Sequence, residues 1–141
     1  MRVSSRADYG VRALFDLAER FGQGPVQSRD IAARQRVPEA YLHQVLGALG
    51  RAGLVRSTRG PQGGHELTCP PSQITVLDVL DILDGPDRRA HPHPEVAADP
   101  DIVHRVWHDL QQQAGDYLRS ITFEALLERS RSSECVGTYS I

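Results

Sequence analysis

The chain has 141 residues, 40% hydrophobic and 24% charged, with a formal net charge of −2. That length suffices for one core, or for a small domain with an oligomerisation arm, and the composition is ordinary for a soluble globular protein. No apolar run is long enough to span a bilayer, and Met1-Arg2-Val3-Ser4-Ser5 lacks a signal-peptide apolar region, so a cytoplasmic protein with no membrane partner is expected.

In chain order, Ser5-Arg6-Ala7-Asp8 is an S-x-x-D start, close to a capping box. Tyr9, Val11, Ala13, Leu14, Leu17 and Ala18 give the helix it opens a buried side. Gly22 to Gly24 end it. Ser28 is a good N-cap for a short second helix holding Ile31, Ala32 and Ala33. Gln35-Arg36-Val37 makes a turn, and Pro38 opens a third helix, since its fixed φ suits a first helical position. Tyr41, Leu42, Val45, Leu46 and Leu49 recur at helical spacing and should pack inward. Glu39, Ala40, His43, Gln44 and Gly47 are left on the opposite face, and Gly53 ends the helix. Leu54 to Arg59 reads as a strand, Gly60-Pro61-Gln62-Gly63-Gly64 as a hairpin tip, and His65-Glu66-Leu67 as the returning strand. Cys69-Pro70-Pro71 breaks regular structure. Thr75-Val76-Leu77-Asp78 is a second capping-box-like start, for a helix with Val76, Leu77, Val79, Leu80 and Leu83 on its buried side, stopped by Gly85-Pro86.

Residues 85–100, rich in Gly, Pro, His and mixed charge, have no periodic pattern and read as a linker loop. Asp99 or Asp101 can cap the next helix, in which Val103, Val106, Trp107, Leu110, Ala114, Tyr117, Leu118 and Ile121 recur at three and four. The N-terminal part is too small to cover that stripe, so a partner helix from a second subunit is expected, with packing inside one chain as the alternative. Thr122 can cap a last short helix holding Phe123, Leu126 and Leu127, and residues 131–141 read as a flexible tail. The expected fold is mainly α with a small β-hairpin. A winged helix-turn-helix DNA-binding domain occupies residues 1–84, the linker 85–100, and dimerisation helices 101–130.

Two short helices followed by a glycine-tipped hairpin make one compact reader of double-stranded DNA. The second of them fits the major groove, and the hairpin reaches the flanking backbone or minor groove. Charge distribution supports this: residues 1–67 carry ten arginines and six acids, a net +4, whereas residues 68–141 carry six arginines and twelve acids, a net −6. Lysine is absent altogether. Gln44 can pair with adenine and His43 can donate to guanine from near the start of the recognition helix. Glu39 can accept from cytosine or serve as a helix-start charge, and Ala40 shares that face. Arg59 at the wing base can enter a narrow minor groove, with Gly60 allowing close backbone approach. Arg2, Arg6, Tyr41, Arg51 and Arg56 are candidate phosphate contacts, with solvated surface as the alternative.

These stretches resemble the Rrf2 family of bacterial winged-helix regulators. The matching runs are Met1-Arg2-Val3-Ser4, Tyr9-Gly10-Val11-Arg12-Ala13-Leu14, Gly24-Pro25-Val26, Ile31-Ala32, Tyr41-Leu42-His43-Gln44-Val45-Leu46 and Arg51-Ala52-Gly53-Leu54-Val55. The most specific is Arg59-Gly60-Pro61-Gln62-Gly63-Gly64, followed by Ile74-Thr75-Val76, Asp84-Gly85-Pro86, Val106-Trp107 and Ile121-Thr122. The resemblance implies a homodimer that binds a palindromic operator and mostly represses transcription. Cluster-binding members carry three cysteines in the segment matching residues 86–104, and this chain has none there. His104 falls where the family's iron–sulfur regulator uses a histidine ligand, Asp101 takes the place of its last cysteine, and Asp8 falls where a nitric-oxide-sensing member has a carboxylate ligand.

Other chemistry is thin. His104 and His108 share a helix face and, with His91 and His93 in the loop before, are candidates for a metal, although no third ligand is fixed by spacing. Asp8 reads first as a capping carboxylate. Cys69 and Cys135 lie far apart; Cys69 reads as a packing residue, and Cys135 has no activating partner. No iron–sulfur cluster or other cofactor is expected, and no catalytic set is recognisable. A metal-sensing regulator of the same fold, a small-molecule effector, and an adaptor that binds a partner enzyme stay open at this point.

Overall fold

The structure, a computed structural model, describes residues 3–85 and 101–139, the last five by backbone course alone. It is mainly helical with one small hairpin. Helix α1 is Ser5–Glu19, capped by Ser4 rather than Ser5: the Ser4 hydroxyl accepts from Ala7 N at 3.0 Å and itself donates to Asp84. Asp8 is not part of the cap and pairs instead with Arg12 at 3.0 Å, one turn on.

Helix α2, Ser28–Gln35, has Gln27 as its N-cap, so Ser28 is the first helical residue rather than the cap. The Gln27 carboxamide donates to the Pro61 carbonyl at 3.2 Å, so it ties the wing to α2 and leaves the helix without a side-chain cap. Arg36 makes the turn in the left-handed conformation at φ 56° and ψ 44°, a position usually left to glycine or asparagine. Helix α3, Glu39–Arg51, has Pro38 as its N-cap and not as its first residue. The Pro38 ring fixes φ, at −59°, but its ψ of 128° is extended, so the chain becomes helical only after it. Leu42, Val45, Leu46 and Leu49 are buried as the periodicity requires, with Ala48 beside them; Tyr41 is half-buried and packs edge-on against Tyr9.

Strands β1, Val55–Thr58, and β2, Gly64–Leu67, pair antiparallel with Val55 opposite Leu67 and Thr58 opposite Gly64. Only Val55 and Leu67 in these strands are buried, so the hairpin is anchored at its base and projects from the core. Val26 extends this sheet: Val26 N donates to His65 O at 2.8 Å and His65 N to Val26 O at 2.7 Å. That crossing needs glycine at position 64, where φ is 154° and a Cβ would stand 2.4 Å from Val26 O. The wing is thus held at three places and fixed relative to the helices.

After a single 3₁₀ turn, Pro71–Gln73, comes α4, Val76–Asp84, opened by a full reciprocal capping box between Thr75 and Asp78. All five residues expected on its buried side are buried. It packs closely on α1 at Gly10, where an added Cβ would lie 2.1 Å from Leu83 Cδ1. Helix α5, Ile102–Arg119, is capped by Asp101, which accepts from His104 N at 2.8 Å.

The C-terminal segment differs most from expectation. Ile121 and Phe123 do not belong to a free-standing arm. Val76 N donates to Ile121 O at 2.9 Å, and Phe123 N to Ile74 O at 3.0 Å. Ile121 is buried with Ala7, Val76 and Leu80, which removes it from the exposed stripe and takes part of Leu118 with it. Phe123 and Leu127 enter the main core beside Leu14, Leu17, Leu42 and Leu46. The last helix, α6, Phe123–Tyr139, is not short: it continues through residues expected to form a tail. No glycine or proline interrupts positions 124–136, so nothing local stops it.

Candidate nucleic-acid interface

Glu39, Ala40, His43 and Gln44 are all exposed on α3, and Gly47 is half-buried. Glu39 and His43 lie one turn apart, 3.8 Å between Oε1 and Nε2. The wing stands beside this face. A cleft of about 320 Å³ runs between the first turn of α2, Glu39 and the wing residues Thr58, Gly60 and Pro61. On the wing, His65 Nδ1 and Ser57 Oγ are 2.8 Å apart. Burial, and secondarily repulsion by His43, hold the His65 imidazole below the usual histidine range of 6.5. Arg59 is exposed where β1 leaves for the tip.

The candidate phosphate contacts are not equivalent. Arg51 is exposed at the end of α3. Arg56 reaches across the hairpin to Glu66, with Nη2 2.9 Å and Nε 3.2 Å from Oε1. Arg6 is drawn elsewhere: its Nε donates to Leu83 O at 3.2 Å, so it satisfies the carboxyl end of α4. Tyr41 has its ring centroid 5.1 Å from that of Tyr9. Arg2 lies outside the described residues.

One side-chain cluster went unread in the sequence. Asp16 is fully buried on α1. Arg34 of α2 grips it with two teeth, Nε to Oδ1 and Nη2 to Oδ2, both at 2.9 Å. Arg20 Nη1 and Gln35 Nε2 each add a contact at 3.3 Å. The hydrogen bond to Asp16 raises the Arg34 pKa. Periodicity gives no signal for it: at 3.6 residues per turn Asp16 falls nearly opposite Leu14, towards the flank that holds Arg12, and only the packing of α2 there buries it. The network sets α2 against α1 and so fixes the turn that presents α3.

Among the described residues, Asp8, Asp101 and His104, which match cluster ligands of the family, offer no thiolate. Asp101 is engaged as the α5 cap, Asp8 is paired with Arg12, and no cysteine occurs in residues 86–104. Cys69 is half-buried against the main core. Such clusters are held mainly by thiolates. Among the described residues, no group of three or more His, Cys, Asp or Glu is placed to hold a metal ion. His104 and His108 both lie on α5; His91, His93 and the Cys135 side chain fall outside the described residues.

On α5, Val103, Val106, Trp107, Leu110 and Tyr117 are 48–56% exposed, and Ile102, not part of the expected stripe, is 71% exposed. Ala114 and Leu118 are half-buried. No described helix is long and apolar enough to cross a membrane.

A buried-faced helix-turn-helix whose second helix is exposed beside a docked hairpin defines a winged helix-turn-helix transcriptional regulator that binds DNA. The profile of the Rrf2 family, described as iron-dependent transcriptional regulator, matches residues 3–129. The chain belongs to the Rrf2 family. It is 33% identical over 140 residues to the HTH-type transcriptional regulator IscR of Photobacterium profundum, covering 97% of this chain and 81% of that protein. Among solved structures, IscR of T. potens is 37% identical with a TM-score of 0.80, covering 94% of this chain and 90% of that one. CymR, the global cysteine regulator of B. subtilis, is 31% identical with a TM-score of 0.82, covering 92% and 98%.

Proposed function

We propose that the protein is a cytoplasmic homodimer that binds an inverted-repeat operator and represses transcription there. The observation that carries this reading is the apolar face of α5. The core of α1–α4 and α6 is closed without it, and five large side chains on α5 remain half-exposed. A second α5 packed on that face would place two α3 helices for successive major grooves, one or two turns apart at about 34 Å per turn.

In this reading Glu39, Ala40, His43 and Gln44 face base edges, Arg59 and Gly60 enter the flanking minor groove, and Arg51 and Arg56 meet phosphates. The test starts from fragments of the organism's own DNA selected by the purified protein. Gln44→Ala and Arg59→Ala should each cost roughly 1–3 kcal/mol on the selected operator. Gln44→Ala should also relax base preference at one position per half-site. Arg51→Ala should weaken all sequences alike and lower the salt slope by about one. Equal losses for Gln44→Ala on operator and random DNA would remove it from base contact, and failure to select any fragment would remove the function.

His65 on the wing gives the binding a pH dependence. The folded His65 pKa is depressed below the unfolded value of 6.5, so the unfolded chain binds more protons just below that value. This group therefore withdraws stability as pH falls through 6.5 towards its folded pKa. Phosphates of a bound duplex favour the charged imidazole, so operator binding takes up a proton. Affinity should rise as pH is lowered below 6.5 at constant ionic strength, and His65→Gln should flatten the rise. An unchanged profile in the variant would detach His65 from the interface.

We further propose that the regulator works without an iron–sulfur cluster, on the donor chemistry described above. Protein purified without oxygen, with iron and sulfide supplied, should be colourless, free of acid-labile sulfide and competent for operator binding. A brown protein with stoichiometric sulfide, lost on His104→Ala or Cys135→Ser, would overturn this.

A further inference from the structure

A second cleft, of about 420 Å³, lies between the α1–α2 loop, the start of α2 and the wing tip. Its lining includes Arg20, Gln23, Gln27, Arg29, Arg34 and Gln62. Gln27, Arg29 and Gly63 line this cleft and the one beside Glu39, so the two meet across a shared ridge. Resting on the reading of the protein as a DNA-binding regulator, we infer that the second cleft is a phosphate site that takes the DNA backbone beyond the half-site.

Three arginines line the cleft against one wall carboxylate, Asp30, with Asp16 buried behind them. Asp16 engages Nε and Nη2 of Arg34 and Nη1 of Arg20. A guanidinium carries five N–H donors in a planar fork, so each of these arginines keeps donors to spare. The buried carboxylate thus holds two cations in fixed orientation, and less side-chain entropy is lost when an anion arrives. Arg29, exposed on the ridge, makes no side-chain hydrogen bond or ion pair to a described residue. Its charge is available to both clefts.

The chemistry selects the ligand. Guanidinium forks and the carboxamides of Gln23 and Gln62 match phosphate oxygens, and the apolar part of the lining is limited to Pro25 and Val26, with no aromatic ring to hold the body of a hydrophobic metabolite. Geometry selects the source. A duplex lying along α3 and the wing carries its backbone past the first turn of α2, and the next phosphates outward reach the second cleft. Gln27 closes the arrangement from below, since its bond to Pro61 holds the wing tip at the rim.

The test uses the full chain and duplexes carrying the selected operator, with flanks lengthened in steps of about three base pairs. Wild-type affinity by fluorescence anisotropy should rise several-fold at the step where the backbone reaches Arg29, with a salt slope steeper by about one. In Arg29→Gln, and in Arg20→Gln, whose side chain lines this cleft and not the one beside Glu39, the ratio of long-flank to short-flank affinity should fall towards one, a ratio that any loss common to both duplexes leaves unchanged. Calorimetry with inorganic pyrophosphate on the DNA-free protein forms the second arm. Saturable pyrophosphate binding lost in Arg29→Gln, with no flank effect in the wild type, would overturn the DNA assignment and assign the cleft to a free phosphate compound. Neither a flank effect nor pyrophosphate binding would overturn the site altogether. If no operator is selected, the regulator reading fails, while the pyrophosphate arm still decides the cleft.

Discussion

Phe123→Ala should destabilise the whole DNA-binding fold by about 3–5 kcal/mol, although Phe123 lies far along the chain from it. Phe123 has no exposed surface and sits in one core with residues of α1, α2 and α3. Removing its ring leaves a cavity between α6 and the N-terminal helices, and the neighbours are held by their own helices and can close it only in part. A small domain has about 5–15 kcal/mol in total, so the loss is a large fraction of its stability. Urea unfolding followed by circular dichroism measures it directly. A midpoint equal to wild type would mean that α6 does not complete the core. The same packing makes truncation after α4 a poor probe of assembly, because the cut removes core residues together with α5.

What the sequence makes legible here is whatever is written locally. The amphipathic faces of α1, α3 and α4 follow from apolar spacing, and the Thr75–Asp78 cap is complete within four residues. The recognition face is legible for the same reason: polar residues left over on an otherwise buried helix must point outward. The helix starts shift by one residue where a distant partner intervenes. Ser4 is fixed by Asp84, and Gln27 is drawn to Pro61, neither of which periodicity can reveal. Ile121 and Phe123 continue an apolar rhythm, and rhythm alone cannot say whether the covering surface belongs to the same chain or to another. The structure assigns these two to the chain's own core and leaves the α5 stripe uncovered. The second cleft is the least legible feature, since it needs the α1–α2 loop, α2 and the wing tip brought together.

That uncovered stripe carries the other large effect. Trp107→Glu or Leu110→Glu should convert the proposed dimer to a monomer and lower operator affinity by roughly 10²–10⁴, the factor a second linked half-site contributes. Both side chains are about half-exposed, at 48% and 49%, so neither replacement opens a hole in the chain's own core. With Val103 and Val106 they form one face at helical spacing, and each apolar Å² covered by a partner contributes about 25 cal/mol. A carboxylate at the centre of that face would be left buried and unpaired, at a cost of several kcal/mol. Monomeric variants should keep the wild-type unfolding midpoint measured under dissociating dilution and keep weak, salt-sensitive binding to random DNA, because α3 and the wing are untouched. Light scattering gives the assembly state, and the operator footprint should shrink towards a single half-site. If both variants remain dimeric and occupy the full inverted repeat, α5 is not the interface, and its exposed tryptophan must serve another partner.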